Sequence, residues 1–207
     1  MNLLPEALRD AFGPALLQSA RAAYDSPGRH YHTWAHIDAC LRHAAPLRLD
    51  DPFTVYAALL FHDAVYIAGA KDNEARSAQL AAAQLRAHGA ATEAQVARVE
   101  HLILLTASHG ALPAHAPRDD QLLIDIDLAI LAAPAPVYAI YAAQVREEWV
   151  PGVVTAAQYA SGRAHFLRGM LAAPRLFHSD EFAAREPAAR ENIRAELMGL
   201  AAPPGAA

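Results

Sequence analysis

The stretch that most constrains the fold is residues 55–66. Its apolar run, Tyr56-Ala57-Ala58-Leu59-Leu60-Phe61, is interrupted by His62-Asp63 and resumes as Ala64-Val65-Tyr66. An unbroken apolar run suits a segment buried on every side, and a polar pair set inside such a core helix must be satisfied there. Leaving even a neutral polar group without a partner in an apolar interior costs about 2–7 kcal/mol. A metal ion is one partner that satisfies an imidazole and a carboxylate together. A helix end with a hydrogen-bonded core histidine is the plain structural alternative.

The rest of the chain reads as helix. Alanine-rich stretches dominate, glycine is sparse, and no run of alternating β-branched residues is long enough for a strand. A chain of 207 residues can bury a core without disulfides. The expected fold is therefore an all-α, single-domain helical bundle over residues 1–201, with a frayed tail at 202–207. A first helix is predicted over 4–24, carrying Leu8, Phe12, Leu16, Leu17 and Ala20 at helical spacing, before the break Asp25-Ser26-Pro27-Gly28. Thr33 is a candidate N-cap for a second helix ending near Ala44, and Asp50-Asp51-Pro52 opens the third. Further helices are predicted from Asp72 or Asn73 to His88, closed by Gly89, and over 92–108, 121–131, 137–150, 155–173 and 187–200.

Charge and composition exclude several classes. The formal net charge of −5, with Lys71 the only lysine, argues against a surface that coats nucleic acid. Cys40 is the only cysteine, which excludes an internal disulfide and a thiolate-rich zinc site. Residues 1–17 lack the basic-then-apolar plan of a signal peptide, and no apolar run approaches the ~20 residues of a membrane span. The expectation is a cytoplasmic protein without membrane contact.

Function-bearing residues cluster. Arg29-His30-Tyr31-His32-Thr33-Trp34-Ala35-His36 crowds three histidines, two aromatics and an arginine into one short stretch. On the helix that follows, His36 shares a face with Cys40 and points inward, His32 lies at the mouth, and His30 and His43 suit the surface. In the helix over 121–131, Asp127 has Leu123, Ile124, Ile130 and Leu131 at i±3 and i±4, which marks it as the buried carboxylate and Asp125 as the less buried one. Glu74 and Arg76 can face the His62-Asp63 pair across a short loop, although Glu74 also suits a helix first turn and Arg76 a solvated charge. His109 could cap a helix end or line a site, and His101 sits among packed residues. The aromatic and arginine residues spaced along the later helices, Arg163 among them, read as packing with exposed charges. Collected, His36, His62, Asp63 and Asp127 converge from three helices. They offer nitrogen and oxygen donors for a divalent ion: Mn, Mg, Co, Ni, Fe or Zn.

That order of residues resembles the histidine-aspartate (HD) phosphohydrolase superfamily: a His, then a His-Asp doublet, then a distal Asp. More narrowly, Pro27-Gly28-Arg29-His30-Tyr31-His32, Asn73-Glu74, Asp125-Ile126-Asp127-Leu128 and Arg146-Glu147-Glu148-Trp149 are similar to a bacterial group of metal-dependent HD phosphohydrolases. The resemblance implies a metal held by His36, His62, Asp63 and Asp127 in a helical bundle. It implies cleavage of a phosphoester or pyrophosphate bond in a small nucleotide-like substrate by attack of a metal-bound water. Glu74 or Asp63 would accept the proton of that water, His32 or His109 would act as acid or substrate contact, and Arg29, Tyr31 and Arg76 would bind the phosphate at the rim. Two other readings stay open: a di-iron HD-type oxygenase, which needs further histidine ligands such as His109 or His101, and a non-catalytic nucleotide-binding helical module.

Overall fold

Every side chain from Thr54 to Phe61 is buried, so beyond its first two residues the helix Pro52–Phe61 has no solvent face and takes the centre of the molecule. Full burial of a residue such as Leu59 or Phe61 contributes about 1.5–3 kcal/mol each. The computed structural model describes residues 3–108, 111–113 and 115–201. Among these, the chain is all-α with no strand. In order, the helices are α1 (Glu6–Ala22), α2 (Trp34–Ala44), α3 (Pro52–Phe61), α4 (Asn73–Ala87), α5 (Glu93–Thr106), α6 (Arg118–Asp127), α7 (Ala135–Trp149), α8 (Ala156–Ala172), α9 (Asp180–Ala183) and α10 (Glu186–Ala201), with single 3-10 segments at Ala23–Asp25 and Leu128–Ala132. The tail 202–207 and His109 lie outside the described residues.

Local sequence explains the boundaries. Pro52 stands in the first turn of α3 while the Asp51 carboxylate accepts the Thr54 N–H. Thr92 with Gln95 and Thr155 with Gln158 form reciprocal capping boxes that start α5 and α8. Gly89 closes α4 with φ +59°, a left-handed conformation that costs glycine nothing.

Three expectations change, and one element is new. The helix predicted over 4–24 is kinked at Gly13 (φ +70°), because Pro14 supplies no N–H, and it finishes as a 3-10 turn. His62-Asp63 is not inside a helix: α3 stops at Phe61, His62 is its C-cap, and Asp63 to Val65 run through a turn. The helix predicted over 121–131 begins earlier and tightens into a 3-10 segment after Asp127. The short α9 had no sequence expectation. It is anchored by Asp125, whose carboxylate accepts the backbone N–H groups of His178 and Ser179, both at 2.7 Å.

Helix α3 packs against α1, α2, α4, α5 and α6, while α10 packs on α7, α8 and the Leu128–Ala132 segment. The ends of α2, α3 and α6 thus meet where these two groups of helices face each other. Among the described residues no single helix is long and apolar enough to cross a membrane.

Candidate metal centre

The C-terminal end of α3 delivers His62, α2 delivers His36, and the last residue of α6 is Asp127. His36, Cys40, His62 and Asp127 each place one donor atom within 4.8 Å of the others, a group that could hold a metal ion. The Nε2 atoms of His36 and His62 stand 3.1 Å apart. Asp127 Oδ1 is 3.2 Å from His36 Nε2 and 3.4 Å from His62 Nε2. Asp63 Oδ2 enters the same knot, 3.1 Å from His62 Nε2 and 3.5 Å from His36 Nε2.

The other ring nitrogens are engaged behind the knot. His62 Nδ1 donates to the Leu59 carbonyl at 3.0 Å, which leaves its Nε2 lone pair facing inward in the neutral ring. His36 Nδ1 meets the Tyr31 hydroxyl at 3.0 Å. Both imidazoles are therefore oriented by partners on their far sides. Burial opposes a charged His62, but the Asp63 carboxylate, followed by the hydrogen bond to Asp127, raises its pKa well above the ordinary value. Burial likewise pushes the Asp63 and Asp127 carboxyls up. His62 foremost for Asp63, and His36 foremost for Asp127, overcome it and hold both below the ordinary range.

Asp125 and Asp127 exchange the roles expected of them. Asp125 is fully buried and Asp127 keeps 24% of its side chain exposed. Face-counting by α-helical period fails here because the chain turns 3-10 at Leu128, so Ile130 and Leu131 no longer stack over Asp127.

A cavity of about 610 Å³ opens over the centre, within the usual range for small-molecule sites. Of the expected site residues, Tyr31, His32, Asp63, Glu74 and Asp127 line it. His32 Nδ1 lies 2.6 Å from Glu148 Oε2, and its ring stacks on Tyr66 at 3.9 Å. Burial draws the His32 pKa down, but the Asp63 charge and the Glu148 hydrogen bond carry it above the ordinary value.

Neither arginine expected as a phosphate clamp is among the residues that line this cavity. Arg29 is a brace. Its Nη1 donates to the carbonyls of His32 and Asp63 at 2.9 and 2.7 Å, and its Nη2 to that of Ala64 at 2.8 Å, tying the 29–32 loop to the turn after α3. Arg76 is exposed on α4. His101 is also exposed and turned toward Asp120 at 3.1 Å, not packed in the interior.

Comparison with family models, curated proteins and solved structures finds no match.

Two residues named in the sequence without a site role contribute to the centre and its cavity. Glu148 sits on the buried stripe Tyr138, Tyr141, Val145, Glu148 of α7, and a carboxylate at that spacing was the available signal. Its Oε1 accepts the N–H groups of His30, Tyr31 and His32, shaping the loop that presents His32. Arg163, expected as an exposed charge, is 9% exposed and paired with Glu196 at 2.8 Å.

Proposed function

We propose that the protein is a metal-dependent phosphohydrolase of the histidine-aspartate type, with His36, His62, Asp63 and Asp127 as the metal ligands. The observation that carries this reading is the convergence of four nitrogen and oxygen donors, 3.1–3.5 Å from one another across the measured pairs, with the two carboxylates lining a cavity. An ion with bonds of ~2.1 Å keeps neighbouring ligands ~3.0 Å apart at octahedral edges and ~3.4 Å apart at tetrahedral ones, so the spacing fits.

Asp63 is preferred to Cys40 as the fourth ligand. The Cys40 sulfur is nearly equidistant from the two ring nitrogens of His36, at 3.8 and 3.7 Å. A sulfur sharing an ion with Nε2 would stand markedly farther from Nδ1. Burial, followed by the Asp127 and Asp63 charges, also pushes the Cys40 thiol up, keeping it neutral. The nitrogen and oxygen set suits Mn, Fe, Co, Ni, Zn or Mg.

A divalent ion bound there would supply an activated water and polarise a phosphoryl oxygen. In the proposed reaction the water oxygen bonds to phosphorus while the phosphorus–oxygen bond of the ester breaks. Glu74 lines the cavity outside the ligand knot and is the group free to take the water's proton, since Asp63 is committed to the ligands. His32, whose pKa the Asp63 charge and the Glu148 hydrogen bond raise against burial, would supply a proton to the departing oxygen.

The deciding experiment is a screen of purified protein with Mn²⁺, Co²⁺, Ni²⁺ or Mg²⁺ against phosphate esters and nucleotides, beside Asp63→Asn and Asp127→Asn. Metal-stimulated release of phosphate or pyrophosphate, lost in both variants, is expected. Activity indifferent to either substitution would sink the assignment.

A further inference from the structure

The cavity walls away from the ligand knot are built for an uncharged body. Tyr66, Tyr141, Trp149, Tyr159, Phe166 and Leu131 face it from the turn after α3, α7, α8 and the 3-10 segment. Its carboxylates, Asp63, Asp127 and Glu74, are confined to the ligand end and the neighbouring start of α4. Arg163 is the one guanidinium lining the cavity among the described residues, and its charge is already answered. Its Nε and Nη2 donate to Glu196 at 2.8 and 3.1 Å, and Nη2 also to the Tyr141 hydroxyl at 3.2 Å. The rings of Tyr141 and Phe166 lie 5.3 and 5.4 Å from the same guanidinium.

One polar atom is left over. The Tyr159 hydroxyl is buried without a hydrogen-bond partner among the described residues, and the side chain lines the cavity. Burial pushes its pKa up to about 12, so the group stays a neutral O–H donor. An unpaired buried hydroxyl costs about 1–3 kcal/mol, which an acceptor on a bound molecule would recover.

Building on the phosphohydrolase reading, we propose that the substrate is a phosphomonoester with a flat, uncharged aromatic body carrying a neutral hydrogen-bond acceptor, and that further anionic groups on that body are rejected. A second phosphate or a carboxylate beyond the ligand end would meet aromatic walls and a guanidinium already paired with Glu196, with no unpaired cation to receive it. The aromatic body stacks among the rings and its acceptor meets the Tyr159 hydroxyl. Aryl phosphates and nucleoside monophosphates share this chemistry.

Three phosphonates that cannot be hydrolysed test the cavity by calorimetry on Mn²⁺-loaded protein: methylphosphonate, benzylphosphonate and 4-carboxybenzylphosphonate. Benzylphosphonate should bind ~30-fold more tightly than methylphosphonate, the worth of burying one ring. The added carboxylate should cancel at least tenfold of that gain. Gly162 lines the cavity, and a Cβ added there meets nothing within 4 Å, so the backbone admits a side chain at this position and Gly162→Phe sets a ring against the cavity wall in competition with the ligand's own. That variant should keep its melting temperature and bring the benzyl-to-methyl ratio toward one. Equal binding of all three probes, preference for the carboxylated one, or no binding at all overturns the inference. Phenyl phosphate and a nucleoside monophosphate, assayed for turnover with the same protein, separate the two claims. Tight benzylphosphonate binding without turnover removes the hydrolase reading and leaves the cavity assignment standing. Turnover with no advantage for an aromatic body does the reverse, and the faster of the two esters identifies which kind of aromatic phosphate the cavity takes.

Discussion

Glu148 Oε2 lies 2.6 Å from Nδ1 of His32, and Glu148 Oε1 accepts the backbone N–H groups of His30, Tyr31 and His32. One buried carboxylate on α7 therefore holds both the loop that carries His32 and the orientation of its ring, and adds to the Asp63 charge in raising the His32 pKa. Glu148→Ala removes all four acceptor contacts and leaves buried donors unpaired. It is expected to cost ~3 kcal/mol, a fall of ~6–12 °C in Tm for a chain of this length. Glu148→Gln preserves the shape but not the charge. It should stay folded and lower turnover of a phosphate ester ~10–100-fold, read by thermal denaturation beside a phosphate-release assay.

The same pair sets a pH window for stability. Hydrogen bonding and charge from His32, working against burial, lower the Glu148 carboxyl from 4.5 to about 2. Its contribution is complete above 4.5 and is lost as pH falls toward 2. The raised His32 pKa works in the opposite sense: its contribution is complete below 6.5 and is lost as pH rises through the higher folded value. The stability difference between the native chain and Glu148→Gln should therefore be greatest from pH 4.5 to 6.5 and shrink on both sides. Urea denaturation at a series of pH values checks this. A difference that keeps growing below pH 4 would contradict it.

Arg29 and Arg76 are chemically alike and sit in different surroundings. Arg29 spans three carbonyls from two separate turns, and a lysine ammonium cannot reproduce that fork. Arg29→Lys is expected to cost ~2 kcal/mol and to reduce activity through the displaced His32 and Asp63. Exposed Arg76 lines no part of the cavity, so Arg76→Ala should change kcat/KM less than twofold. A large rise in KM for Arg76→Ala would restore the phosphate-clamp role expected from sequence.

The all-α architecture was legible because capping residues, proline and glycine punctuate long apolar periodicities, as at Asp51-Pro52, Thr92 and Gly89. The cluster of inward-facing donors was legible too, since His36 and His62 interrupt apolar surroundings that give no partner of their own. What could not be read depends on contacts far apart in sequence. Asp125 and Asp127 differ because α6 gives way to a 3-10 segment and because Ser179 waits 54 residues later to receive Asp125. Arg29 was misjudged for the same reason, its acceptors at Asp63 and Ala64 being 34 and 35 positions away. Asp125→Ala is expected to cost ~3 kcal/mol through the unpaired Ser179 and His178 N–H groups, yet to leave metal binding intact. Denaturation with and without Mn²⁺ separates the two effects.

Metal removal discriminates between sulfur and oxygen as the fourth donor. An ion that binds only the folded chain stabilises it by ~2.7 kcal/mol at a free concentration 100 times its Kd, a rise of ~5–11 °C here. Chelation should reverse the rise. Asp127→Asn and Asp63→Asn should each abolish it, since a neutral amide is a poor ligand for a divalent ion and leaves the two histidines with one carboxylate. Cys40→Ala should retain it, with a loss of ~1 kcal/mol from the small void beside His36. The sulfur lies against the imidazole ring, whereas Asp63 Oδ2 approaches both Nε2 atoms from the cavity side. If Cys40→Ala lost the metal response while Asp63→Asn kept it, the ligand set would have to be redrawn around the thiolate. Asp63 would then be free to serve as the proton acceptor in place of Glu74.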